Sequence, residues 1–119
     1  MYQTKPKTMF DFFRTKPKKY TDLKAEEFKT GMTAKDAVII DVRTAGEFQS
    51  EKIKGARNID LMGKGFQAQL MNLPKEKKYY IYCRSGNRSG QACDVMADMG
   101  FEQTFNLQGG VMRWPFELV

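Results

Sequence analysis

Cys83-Arg84-Ser85-Gly86-Asn87-Arg88-Ser89 is the segment of this sequence best equipped for chemistry. It sets a thiol, two guanidinium groups, a glycine and two hydroxyls side by side. Tyr79-Tyr80-Ile81-Tyr82 before it reads as a strand, and Ser89–Met99 after it as a helix with Ala92, Val95, Met96 and Met99 on one stripe. The segment is therefore a strand-to-helix loop. In an open α/β sheet such loops lie at the carboxyl ends of the strands, where ligands bind. The helix behind the loop offers unpaired N–H groups and the positive end of its dipole. Gly86 permits a tight curl that turns backbone N–H groups inward, an anion-binding nest. Arg84 and Arg88 add positive charge. Such surroundings lower a cysteine pKa from about 8.5 to roughly 3.5–7.5. The expected chemistry is that of a Cys83 thiolate, nucleophilic at neutral pH and suited to an anionic reactant. The plainer alternative is an inert cysteine at a strand end, which has little use for two arginines and a glycine loop.

The composition narrows the field. Histidine is absent, which excludes Cys–His dyads, Ser–His–Asp triads and every histidine-based zinc site. Cys83 and Cys93 are the only cysteines, and two thiols alone make neither a disulfide framework nor a metal site. No metal and no cofactor are expected. The cysteine usage fits a reducing, cytoplasmic setting. No apolar run approaches the about 20 residues of a transmembrane helix. Lys5 and Lys7 are not followed by the apolar block of a secretory leader. The net charge of +6 is concentrated in residues 1–20, where Lys5, Lys7, Arg14, Lys16, Lys18 and Lys19 face Asp11 alone. The remainder is nearly neutral, so the domain is not expected to bind nucleic acid. Residues 1–18 form a basic N-terminal arm carrying Met9-Phe10-Asp11-Phe12-Phe13, either a solubilising arm or a docking segment, and 19–119 form the domain.

Strands and helices alternate through that domain. Thr21 is placed to cap a helix from about Asp22 to Lys29, with Ala25, Phe28 and Met32 at helical spacing. Ala37–Val42 reads as a buried strand, Thr44 as the cap of a short helix to Ser50, and Ala56–Leu61 as a strand. Gly65–Asn72 reads as a helix and Pro74–Lys78 as a turn. Gly100 stops the long helix, Phe101–Leu107 holds a last strand, and Gly109-Gly110 leads into a short helical piece ended by Pro115. The fold class is α/β: a three-layer domain whose mostly parallel sheet of about five strands carries helices on both faces.

Four segments in order resemble the rhodanese-like sulfurtransferase family. They are the Cys83-x4-Arg88 loop after a strand, Asp41-Val42-Arg43 with Glu47-Phe48, Ile53-Lys54-Gly55-Ala56-Arg57-Asn58-Ile59, and Leu107-Gln108-Gly109-Gly110-Val111 with Trp114. The resemblance runs from about Lys19 to Trp114. The chain departs from the family pattern at Lys52, where the family usually has histidine, and at Lys54, where it has proline; neither position is the nucleophile.

The resemblance implies a rhodanese-like fold and a two-step transfer. Cys83 takes a sulfane sulfur from a small anionic donor, thiosulfate or a persulfide, and yields it to a thiol or protein cysteine. Arg84, Ser85, Gly86, Asn87, Arg88 and Ser89 would form the substrate-holding loop, and Asp41 with Arg43 a pair that braces it. Glu47 is a candidate partner for a basic side chain of the site. Cys93 is read as a small core residue, with a resolving thiol as the alternative. Trp114 is read as packing; Lys52 and Lys64 are read as solvated, with a place at the site mouth as the alternative. Two other functions compete. A cysteine phosphatase or arsenate reductase uses a similar cradle, but its Cys-x5-Arg loop is one residue longer than the one here. A carrier module would take up persulfide sulfur and deliver it to a protein partner.

Overall fold

The structure, a computed structural model, describes residues 18–119; the arm assigned to residues 1–18 lies outside them except for Lys18. The central strands show why the chain forms three layers. In β4 (Lys78–Tyr82), Tyr79 and Ile81 point to one face, and Tyr80 and Tyr82 to the other. In β2 (Ala37–Asp41), Ile40 and Ile39 divide in the same way. Side chains alternate along a strand, so a run that is apolar throughout must be covered on both sides.

One face is covered by α3 (Phe66–Met71), through Phe66 and Leu70, and by α4 (Asn87–Asp98), through Ala92, Cys93 and Met96. The other is covered by Phe28 of α1 (Ala25–Gly31) and by Trp114, which follows a 3-10 turn at Val111–Arg113. Phe28 meets the rings of Tyr80 and Trp114 edge-on, at 5.3 and 5.9 Å between centroids. Two further strands, β1 (Thr21–Leu23) and β3 (Arg57–Asn58), form the edges, and β5 (Gln103–Leu107) lies between β1 and β4. The order is β1-β5-β4-β2-β3, and every pairing is parallel. All the carboxyl ends therefore lie on one side, with that of β4 at the centre.

Helix α2 (Ala45–Ser50) begins where expected. Thr44 caps it by accepting from the Glu47 N–H, and Glu47 returns the bond to the Thr44 N–H. Three elements differ from expectation. Thr21 is not a helix cap: Thr21–Leu23 pairs with Phe105–Leu107, and the helix starts at Ala25. Three residues make a strand only because β5 offers an edge, a non-local influence that outweighs local spacing. The strand expected over Ala56–Leu61 is only Arg57–Asn58. Beyond it the Ile59 and Leu61 N–H groups still donate to the Asp41 and Val42 carbonyls, and the Asn58 side chain adds bonds to the carbonyls of Asp41 and Arg43, out of strand register. Helix α4 starts at Asn87, two residues before Ser89, because Gly86 in the left-handed region (φ 101°) reverses the chain directly into it.

Candidate active site

Cys83 follows β4 immediately, and the loop after it curls back around its sulfur. Sγ accepts from the backbone N–H of Gly86 at 3.1 Å, the N–H of Ser89 at 3.3 Å and the hydroxyl of Ser89 at 3.3 Å. Two of these donors belong to the first turn of α4, where N–H groups have no helical partner. Gly86 makes the curl possible: its φ of 101° is disfavoured for a side-chain-bearing residue, and a Cβ there would press on the Leu107 carbonyl at 3.2 Å. Burial pushes the Cys83 thiol up. Donation from the Ser89 hydroxyl and from the N–H groups of Ser89, Gly86 and Ser85 outweighs burial, so the pKa lies below its ordinary value. This arrangement supports a thiolate without a basic side chain.

The two arginines differ. Arg84 is exposed at the mouth of the loop with Ser85 and Asn87. Arg88 is held by Glu47 through paired bonds of 2.9 and 3.2 Å. The Arg88 guanidinium, with help from Thr44 and against partial burial, lowers the Glu47 carboxyl to about 2. Glu47 lies 41 residues from Arg88 in sequence, and the pair fastens α2 to α4. A carboxyl depressed on folding adds stability that is complete above its unfolded pKa and fades as pH falls through the folded one. Glu47→Gln is expected to cost about 1 kcal/mol near neutrality. The difference from wild type should shrink between about pH 4.5 and 2 in urea unfolding at several pH values.

Asp41 and Arg43 form a fully enclosed fork, with Arg43 Nη2 2.7 Å from Asp41 Oδ2 and Nε 3.0 Å from Oδ1. Arg43 also donates to the Glu51 carbonyl at 2.6 Å, which fixes the end of α2. The described bonds of this pair do not reach 84–89; they join the end of β2 to the end of α2, the helix from which Glu47 reaches Arg88. Cys93 is buried in the core beneath α4, and burial holds it as a thiol. Lys64 is exposed, and Lys52 lies over the Phe48 ring at 5.2 Å. Trp114 packs between Phe28 and Phe116. Among the described residues, no group of three His, Cys, Asp or Glu could hold a metal, and no helix is long and apolar enough to cross a membrane.

Two parts of the site are absent from the sequence reading. The turn after β5 supports the loop from below: the N–H groups of Val111 and Met112 donate to the carbonyls of Cys83 and Arg84, both at 3.0 Å. Behind Ser89, Asn106 receives the Ser89 hydroxyl and is anchored in turn by Asp22. An asparagine between Phe105 and Leu107 in a buried strand was the available signal, since a buried polar side chain needs partners.

A five-stranded all-parallel sheet with helices on both faces is the architecture of rhodanese-like folds. The family model for the rhodanese-like domain matches residues 24–116. The chain is 36% identical over 92 residues to the protein YqhL of Bacillus subtilis, covering 77% of this chain and 70% of that one. It is 33% identical over 79 residues to a protein of Allochromatium vinosum named sulfurtransferase, covering 66% and 72%. The crystal structure of a rhodanese-like domain protein from Staphylococcus aureus superposes with a TM-score of 0.73 at 28% identity, over 83% of this chain and 96% of that one. The chain belongs to the rhodanese-like domain family, a family of sulfurtransferase type.

Proposed function

We propose that this domain transfers a sulfane sulfur from thiosulfate or a persulfide donor to a thiophilic acceptor through a persulfide on Cys83. The observation that carries the reading is the focus of three hydrogen-bond donors within 3.3 Å on Cys83 Sγ. In the first step the Cys83 thiolate attacks the outer sulfur of the donor. A new S–S bond forms, the donor's own bond to that sulfur breaks, and sulfite or a thiolate leaves with the electron pair. In the second step a thiolate, or cyanide in an assay, attacks the terminal sulfur and Cys83 departs as thiolate. Covalent catalysis of this kind gives ping-pong kinetics. The loop N–H groups stabilise negative charge on sulfur at the start and end of the cycle, and they are oriented before reaction begins.

Cys83 has no exposed surface, so the Arg84–Ser85 segment or the thiol itself shifts as the donor arrives. Exposed Arg84 attracts an anionic donor, while Arg88, tied to Glu47, contributes charge from a fixed place. Arg88 follows Cys83 by five residues, so the ring is shorter than a phosphatase loop and suits one sulfur atom. Neither cysteine is tied in a disulfide, which fits a reducing compartment such as the cytoplasm.

Thiosulfate treatment without reductant is expected to add about 32 Da, one sulfur atom, to the Cys83 peptide. Cyanide should remove that mass as thiocyanate. Protein whose Cys83 alkylates normally yet never gains the mass would defeat the reading, and aryl phosphate turnover at a comparable rate would transfer it to a phosphatase.

A further inference from the structure

Hydrogen bonds continue beyond the cradle, away from the sulfur. Ser89 Oγ is 3.3 Å from Cys83 Sγ and 2.5 Å from Asn106 Oδ1. A hydroxyl carries one hydrogen and donates it to one of these at a time. The orientation of the Asn106 amide is fixed from its far side. Nδ2 donates to Asp22 Oδ1 at 2.9 Å and to the Gly86 carbonyl at 3.3 Å, a carboxylate and a carbonyl that only accept. Partial burial works against the Asp22 carboxylate, but donation from Lys18 and Asn106 outweighs it and keeps the group ionised. A turned amide would set oxygen against both acceptors, so Oδ1 faces Ser89. Ser89 is 0% and Asn106 5% exposed, which keeps bulk water from replacing either partner.

We propose that Asn106 is a positioning residue that competes with Cys83 for the single Ser89 hydrogen and so sets the balance between the thiolate and the states in which Sγ is neutral. Its functional meaning rests on the persulfide reading above. While Cys83 is a thiol, its S–H donates to Ser89 Oγ and the hydroxyl donates to Asn106. When Cys83 ionises, the hydroxyl turns to Sγ and Asn106 Oδ1 loses that donor inside a dry site, at the cost of a hydrogen bond. Once a sulfur is attached, the negative charge moves to the terminal sulfur. Sγ then accepts weakly, as a thioether does, and the hydroxyl returns to Asn106. Asn106 therefore opposes the thiolate and favours the loaded cysteine. The charged or titratable groups on the elements packed against the Cys83 loop are Arg84, Arg88 with Glu47, Cys93, Tyr20 (beside Gly90 and Asn106), Asp22 with Lys18, Tyr82 and the Asp41–Arg43 pair. The described bonds of the Ser89 hydroxyl go to Cys83 and Asn106 and not to these groups.

The test follows the rate of iodoacetamide alkylation of Cys83 against pH, with the modified peptide identified by mass. Asn106→Leu is expected to lower the inflection by about half to one pH unit, the effect of one hydrogen bond. Ser89→Ala should raise it by a similar amount. In the Ser89→Ala background, Asn106→Leu should move nothing, because the contested hydrogen is gone. Thermal unfolding checks each variant, and Asn106→Ala replaces the leucine if that variant does not fold. No shift, an upward shift, or a shift that persists without the Ser89 hydroxyl overturns the proposal. At a fixed ratio of thiosulfate to sulfite, the sulfur-loaded fraction of Asn106→Leu should fall about three- to tenfold, the same hydrogen bond read as an equilibrium; an unchanged fraction overturns the role in loading. Wild-type protein that titrates as described but takes up no sulfur would defeat the functional reading while the alkylation result still decides the hydrogen-bond competition.

Discussion

Cys83→Ser is expected to reduce sulfur transfer at least about a thousandfold, to background, because no other group in the cradle can form the covalent intermediate. The serine oxygen would occupy nearly the same place and meet the same donors, so folding should survive. An alcohol in that position stays protonated at neutral pH, and the cradle does not lower its pKa far enough to change this. The steady-state thiosulfate:cyanide rate and the mass of the donor-treated protein give the two readouts, and both should fall together. Cys93→Ala is the matched control. Cys93 lies in the core with its pKa raised by burial, and it makes no described bond to Cys83. Its removal should change the rate by less than about twofold, apart from a modest loss of packing stability. A Cys83→Ser enzyme that still turns over at a substantial rate, or a Cys93→Ala enzyme that does not, would move the sulfur chemistry to another thiol.

The legible parts of this molecule are those whose signals are local. The long helix announced itself by its stripe and by Gly100, α2 by Thr44 and Glu47, and the thiol cradle by a cysteine, a glycine and two arginines at the end of an apolar strand. What escaped depends on register between distant segments. Asp22 reaches Asn106 because Thr21–Leu23 adds to the β5 edge, a pairing across 84 residues that no spacing rule contains. Ala25 and Phe28 do lie on a helix that Met32 closes, but it starts at Ala25 and not near Asp22, because the sheet claims Thr21–Leu23. Glu47, a candidate partner for a basic side chain of the site, does find one in Arg88; only which basic side chain it would hold, 41 residues away, was left open by the sequence. The pair at Asp41 and Arg43 is visible as a motif, but its described bonds run to the Glu51 carbonyl and not to the loop.

Gly110→Ala should damage the site without touching a reacting group. Gly110 has φ 63° and ψ −166°, a backbone region open almost only to glycine. A Cβ built there would lie 2.2 Å from the Arg84 oxygen, 2.3 Å from the Arg84 carbonyl carbon and 2.6 Å from the Ser85 nitrogen. All three are backbone atoms of the loop that encloses the sulfur, so no flexible side chain can yield. Relief requires the 109–112 turn to move away, which breaks the bonds from Val111 and Met112 to the Cys83 and Arg84 carbonyls. The strained conformation and the overlap together are expected to cost about 3 kcal/mol or more. Cys83 should then alkylate with a higher pH inflection, because the displaced N–H groups of Ser85 and Gly86 no longer converge on Sγ. Gly46→Ala provides the contrast: a Cβ there meets nothing within 4 Å, and alanine favours a helix, so stability should stay level or rise by less than about 1 kcal/mol. Urea unfolding measures the first effect and the alkylation profile the second. If Gly110→Ala kept both the unfolding midpoint and the inflection of wild type, the support that this turn gives the thiolate cradle would be disproved.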